Sequence, residues 1–255
     1  MTEWLRYLAR SETRYEILEA VGDGRRSATK QAVQSVVDAS RSTVTRSLEQ
    51  MAEFGWVTET AMEYRLTALG AHVRAAFAEV RDAFEAGERL APLLQRVPAD
   101  AFEGLDTARL ADARVTEATP TEPLAPIDRV TALRAESETV RELSSVVASD
   151  SAEQVAERAT AGDSSHEIVL TADLVSSLLD GSDYADAFEA AREAVDFYVY
   201  DGAFPFLLAL LDDRVAFGAV DENDRPAALV ESTDEAVYEW AEETYRGYRD
   251  AADSF

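Results

Sequence analysis

Apolar side chains in the first fifty residues recur at helical intervals: Trp4, Leu5 and Leu8; Ile17, Leu18 and Val21; Ala32, Val33, Val36 and Val37; Val44, Leu48 and Met51. Each set lines one helix face. The pattern predicts two short helices meeting near Arg10-Ser11, with Gly22-Asp23-Gly24 ending the second. It also predicts a third over Thr29–Asp38 and a fourth that starts behind Ser40, a good N-cap, and stops at Gly55. The runs Trp56–Thr60 and Tyr64–Thr67, separated by Ala61-Met62-Glu63, then predict a β-hairpin. Helical spacing returns from Ala68 to about Gln95. There Leu69, Val73, Ala76, Val80 and Phe84 make a near-heptad stripe that packs on its own domain or pairs with a second copy.

Residues 98–129 are rich in Pro, Ala, Thr and Asp and read as a partly ordered connector, with room for one short helix over Ala101–Ala111. Beyond it, predicted strands at Val140–Ala148, His166–Thr171 and Asp196–Tyr200 alternate with helices at Ser151–Ala161 and Leu174–Ala194. That alternation is the signature of parallel strands with crossover helices. Phe206–Leu211, Arg214–Val220 and Ala227–Glu231 follow with turns short enough for antiparallel hairpins, and a last helix covers Asp234–Asp250. The expected fold class is therefore a two-domain α+β or α/β chain. Its parts are 1–70, a linking or dimerisation helix at 71–97, the connector at 98–129, and a mixed α/β domain at 130–255.

Composition narrows the chemistry. The 255 residues carry 24 Lys+Arg against 50 Asp+Glu, a net charge of −26, and 47% are apolar, a proportion that supports a folded core. Lys30 is the one lysine. An acidic, lysine-poor surface resembles the proteins of salt-in halophilic archaea, where concentrated salt screens the self-repulsion. Cysteine is absent, which excludes disulfides, thiolate metal sites and thiol nucleophiles. With only His72 and His166, a His-rich metal centre is excluded as well. His72 reads as structural and His166 as a surface histidine at a strand start. No metal, cofactor or catalytic residue is expected, because G-x-x-x-x-G-K-[ST], H-E-x-x-H and G-x-S-x-G are all missing. No stretch reaches the length of a membrane span and no secretory signal opens the chain, so the expected location is cytoplasmic.

The charge is unevenly spread. Residues 1–80 hold 10 basic and 11 acidic side chains, while 81–255 hold 14 and 39, so the N-terminal part is the surface least repulsive to a polyanion. Within it, the segment from Thr29 to Leu48 has helix-turn-helix form. Its second helix opens with small polar and Arg residues, and a helix N-terminus offers free N–H groups to phosphate. Ser40, Arg41, Ser42, Thr43, Thr45 and Arg46 are the candidate DNA-binding residues of that helix, with Lys30 ahead of it and Arg65 on the hairpin. Arg is suited to guanine O6 and N7, Ser and Thr to bases or phosphates. Arg25-Arg26 are candidates for flanking phosphates.

These residues also carry a resemblance. Ser40-Arg41-Ser42-Thr43-Val44-Thr45-Arg46-Ser47-Leu48, then Phe54-Gly55-Trp56-Val57 and Tyr64-Arg65-Leu66-Thr67-Ala68-Leu69-Gly70, are similar to archaeal winged-helix transcriptional regulators. The likeness covers about residues 11–70 and implies a recognition helix followed by a wing. One departure is Asp38-Ala39 before the recognition helix, where Gly or Val is common. Farther on, Arg141–Val147, Phe206–Ala219 and Ala228–Ser232 resemble haloarchaeal regulators with a methanogenesis-regulator middle domain. This implies a winged-helix reader joined to an α/β sensor.

The resemblance implies a cytoplasmic, homodimeric regulator whose partners are double-stranded DNA and a possible small-molecule effector, with no membrane. Ligands of open α/β sheets favour strand carboxyl ends, so Thr171, Tyr198, Tyr200 and Asp201 are the candidate effector-binding residues. Two alternatives stand beside this reading: a winged helix used as a protein-interaction module, and a cryptic enzyme in the C-terminal domain.

Overall fold

The computed structural model describes residues 2–22, 27–146, 164–179, 188, 192 and 195–255. They divide into two units, Met1–Phe84 and Glu85–Phe255. In the first, α1 (Glu3–Ala9) and α2 (Glu12–Gly22) lead to β1 (Ala28–Thr29), α3 (Lys30–Gln34) and α4 (Arg41–Glu53). The hairpin β2 (Val57–Thr60) and β3 (Glu63–Leu66) follows, then α5 (Ala68–Leu94), within which the division between units falls. β1 pairs antiparallel with β3, giving the sheet order β1-β3-β2.

Local chemistry explains these boundaries. Thr29 and Ser40 cap α3 and α4, their hydroxyls accepting from the N–H groups of Ala32 (3.1 Å) and Thr43 (3.2 Å). α3 stops four residues short of the predicted Asp38, because Ser35 turns its hydroxyl back to the Ala32 carbonyl (2.7 Å); Val36 is left 70% exposed. α4 ends at Gly55, whose φ of +75° suits glycine. The N–H of Trp56 reaches the Met51 carbonyl (2.8 Å) and that of Gly55 the Ala52 carbonyl (2.9 Å), the paired bonds of a Schellman end. Ile17, Leu18, Val33, Val44, Leu48, Met51 and Trp56 form the core of this unit, each at most 1% exposed.

Two joints in this unit yield predictions. At the start of α5, a Cβ on Gly70 would lie 2.0 Å from the Trp56 carbonyl oxygen. That oxygen also accepts from the Thr67 N–H and hydroxyl, so the backbone there has no room to give. Gly70→Ala is expected to cost about 3 kcal/mol, read as a lowered urea midpoint; an unchanged midpoint contradicts the close approach. At the hairpin tip, Ala61 (φ 52°) and Met62 (φ 66°) both adopt positive φ, the arrangement of a two-residue type I′ turn. Side chains beyond glycine are strained there, so Ala61→Asn with Met62→Gly is expected to stabilise the unit by about 1 kcal/mol, measured by thermal denaturation.

The second unit centres on one eight-stranded sheet of order β11-β7-β6-β5-β8-β9-β10-β4. Its elements are β4 (Arg114–Glu117), α6 (Ala125–Glu136), β5 (Thr139–Ser144), β6 (Ser165–Thr171), α7 (Ala172–Leu179) and β7 (Asp196–Tyr200). After these come β8 (Leu207–Leu211), β9 (Arg214–Val220), β10 (Pro226–Ser232), α8 (Glu235–Asp250) and β11 (Asp253–Ser254). β5, β6 and β7 are parallel to one another, and the remaining pairings are antiparallel, as the change in spacing predicts. α8 packs Val237, Ala241 and Tyr245 on Leu208, Leu210, Val215 and Phe217. α6 covers the opposite face, with Leu133 and Val130 on Ala209, Ala216 and Leu229.

Four expectations are corrected. Residues 98–129 are not a connector. Phe102, Leu110 and Ala113 lie in the main core, Thr107–Leu110 forms a 3-10 turn, and β4 pairs antiparallel with β10. α6 is a helix that apolar spacing misses, because two of its polar side chains, Arg129 and Arg134, are turned inward to Glu231 and Glu142. β5 ends at Ser144, short of Ala148. His166 is buried rather than at the surface, its Nε2 2.7 Å from the Ser164 hydroxyl. The helix expected over Ser151–Ala161, much of that expected over Leu174–Ala194, and Asp23-Gly24 of the expected stop lie outside the described residues, while α2 ends at Gly22. Among the described residues no helix is long and apolar enough to cross a membrane.

Candidate nucleic-acid interface

α4 buries Val44, Ser47, Leu48 and Met51 and leaves Arg41, Ser42, Thr43, Arg46 and Glu49 exposed, with Thr45 half-buried. The buried positions follow spacings of three and four, so the polar set is held outward by core packing rather than by contacts of its own. The first turn is preorganised by Ser40, whose hydroxyl oxygen lies 2.9 Å from those of both Ser42 and Thr43. Ser40, Ser42 and Thr43 thus form one connected hydroxyl cluster where the helix dipole is positive.

Lys30 stands at the first position of α3, half-buried, its ammonium 5.6 Å from the centre of the Tyr64 ring. Arg65 is exposed on β3, opposite Thr58 of β2. The structure therefore places all eight candidates in one unit. Ser40, Arg41, Ser42, Thr43, Thr45 and Arg46 are grouped on α4, Lys30 lies ahead of them, and Arg65 sits on the hairpin. Arg25 and Arg26 lie outside the described residues.

Arg41, Arg46 and Arg65 pair with no carboxylate among the described residues. In the second unit Arg109, Arg114, Arg129, Arg134, Arg141 and Arg214 are all engaged in ion pairs.

The effector candidates fare differently. Thr171 and Tyr200 are register partners on β6 and β7, but Thr171 is buried, and its hydroxyl accepts from the N–H of Leu174 (3.4 Å). The Tyr198 ring is covered by the Arg249 guanidinium at 3.7 Å. Tyr200 stacks on Phe204 with centroids 5.5 Å apart and meets the edge of Tyr248. Asp201 is exposed. Among the described residues, Tyr200 lines a surface groove with Gly104, Trp240 and Tyr248. Sequence reasoning missed a different gathering, that of Arg109, Arg114, Arg129 and Arg214 in one cavity; the four come from separate elements and share no local motif.

Among solved structures, the chain is similar to TrmBL2, an archaeal chromatin protein, at 14% identity and a TM-score of 0.43, covering 98% of each chain. It is also similar to NucT from Helicobacter pylori (14% identity, TM-score 0.46, 56% of this chain and 98% of that one). A third likeness is to Nuc from Salmonella typhimurium, a phospholipase D family member (12%, 0.45, 56% and 98%). No curated protein matches the chain. The profile of the HVO_A0261 N-terminal domain matches residues 2–89. That of the middle domain of the methanogenesis regulatory protein FilR1 matches residues 123–251, just over half of the chain. With the matched residues all lying within its second unit, the chain belongs to the FilR1 middle-domain family.

Proposed function

We propose that the chain is a sequence-specific DNA-binding transcriptional regulator whose first unit is a winged helix-turn-helix. In this reading α3 and α4 are the two helices, α4 enters the major groove, and the β2–β3 hairpin is the wing. The observation that carries it is the exposed set of Arg41, Arg46 and Arg65, paired with no carboxylate among the described residues, together with the hydroxyl cluster at the N-terminus of α4. Guanidiniums supply two-point contacts to guanine edges, and hydroxyls and N–H groups supply phosphate contacts. Membership in a regulatory-protein family supports the same conclusion.

The regulator is a homodimer in this reading, joined along α5. Val73 and Phe77 pack inward on the first unit's core, but Leu69, Val80 and Phe84 stay 38%, 42% and 72% exposed on the helix surface. A second copy is the occupant that fits, since one apolar stripe at coiled-coil spacing complements itself across a two-fold axis. Phe84→Asp is expected to convert the dimer to a monomer in analytical ultracentrifugation with its far-UV spectrum unchanged. The second unit then serves as a sensor, shifting operator affinity through a ligand that binds the two states unequally.

The test is binding to a duplex from the gene's own upstream region, titrated at several KCl concentrations, beside a random duplex of equal length. Tighter binding to the upstream duplex that weakens as salt rises supports the proposal. Binding to neither duplex, with no enrichment of any genomic site in a pull-down, refutes it.

A further inference from the structure

The second unit is strongly anionic: from Glu85 to Phe255 there are 13 arginines and 38 Asp+Glu, a net of −25. Four of those arginines nevertheless line one cavity of 450 Å³ at the β4 edge of the sheet. Arg109 comes from the 3-10 turn, Arg114 from β4, Arg129 from α6 and Arg214 from β9. The acidic side chains lining it are Asp112, Glu231 and Asp234, so the cavity is net positive by one charge inside a unit of −25.

The arrangement around Glu231 is more lopsided still. Its side chain is 8% exposed, and three guanidiniums converge on it. Arg129 donates through Nε and Nη2 at 2.7 and 2.6 Å, Arg214 through Nη1 at 3.3 Å, and Arg114 stands 3.5 Å away. One carboxylate cannot satisfy three guanidiniums, each with five donors. Arg129 is held in a fork-to-fork pair with Glu231, with Glu136 adding a weaker attraction. Arg114 and Arg214, 63% and 32% exposed, line the cavity and each meet Glu231 through a single nitrogen at 3.3 Å or more. Asp234 does not neutralise them. It accepts from Arg109 and caps α8 through the N–H groups of Ala236 and Val237, which hold its carboxyl below the usual carboxylate range. Asp112 is exposed at the rim. The dipole of the sixteen-residue α8 adds positive potential from the same side.

We infer that this cavity is a binding site for a phosphate group carried on a small metabolite, with Arg114 and Arg214 gripping its oxygens and Glu231 fixing Arg129 beside them. Arginine forks match phosphate oxygens in pairs, and the volume lies in the range of small-ligand sites. The assignment deepens the regulatory reading by naming the class of molecule sensed, and rests on that reading for the step to DNA alone.

The test uses the full chain without DNA. Inorganic phosphate, glycerol 3-phosphate and succinate are titrated calorimetrically at an ionic strength held constant with KCl. The expected result is saturable binding of both phosphates, tighter for the ester, weakened at least tenfold by Arg114→Ala and by Arg214→Gln and unchanged by Arg225→Ala. Because Arg114 is mostly exposed, its variant is expected to keep the parent's melting temperature. Absence of saturable heat, equal affinity in the Arg114 and Arg214 variants, or succinate binding as tightly as the phosphates overturns the assignment. Operator affinity is then measured with saturating glycerol 3-phosphate. A severalfold change joins the site to regulation, whereas no change leaves the phosphate site standing and removes its role as sensor.

Discussion

Replacing Arg46 with alanine is expected to weaken binding to the cognate duplex by about 1–3 kcal/mol, tenfold or more at the centre of that range. The folded state is expected to be untouched, because the side chain is exposed and pairs with no carboxylate among the described residues. The loss is expected to fall on the cognate sequence and hardly at all on a random duplex, as a base contact requires. Arg65→Ala is the contrasting case. A hairpin arginine that meets phosphate weakens both duplexes alike and lowers the slope of log affinity against log salt by about one. Electrophoretic mobility shifts at three salt concentrations separate the two behaviours. If Arg46→Ala binds the cognate duplex as tightly as the parent, α4 is not the reading helix.

The second large effect is on stability. Phe102 lies in the stretch whose composition looks like a linker, yet it is 9% exposed. Its ring stacks on Phe206 (5.0 Å, 6° between planes), meets the edge of Phe217 at 5.3 Å and lies 5.9 Å from Trp240. Phe102→Ala empties the middle of this aromatic cluster and is expected to cost about 3–5 kcal/mol, or roughly 10 °C of melting temperature in a unit of this size. Calorimetry on the full chain reads it directly. A linker phenylalanine would cost almost nothing, so a shift of a degree or two removes Phe102 from the core.

What was legible in the chain follows from how far each signal reaches. Ser40 as a cap and Gly55 as a stop each act within a few residues, and each occupies its expected place. The strands from β6 to β10 were legible as well, because their apolar runs are dense and their turns short. β4 was not, since its four residues are at best half-buried and their partners are Ala228 to Glu231. α6 was hidden for an electrostatic reason. Arg129 and Arg134 look solvated in sequence but lie 21% and 14% exposed against buried carboxylates. The candidate DNA-binding residues group together because one helix carries most of them. The arginine cavity was not legible, since four elements contribute one residue each.

The pairing of β4 with β10 carries a consequence for how the chain is made. Arg114 finds its partner at Glu231, so that edge of the sheet stays open until residue 231 has left the ribosome. The first unit pairs Ala28 with Tyr64 and Val57 with Leu66. These are short loop closures, and it is able to acquire its core while the rest is still being translated. A nascent chain that stalls before residue 226 therefore presents a finished N-terminal unit together with an unpaired strand and the uncovered apolar side chains of Leu110 and Ala113. Synthesis of this protein thus passes through a stage in which chaperone recognition of the sheet edge and a competent N-terminal unit coexist on one polypeptide.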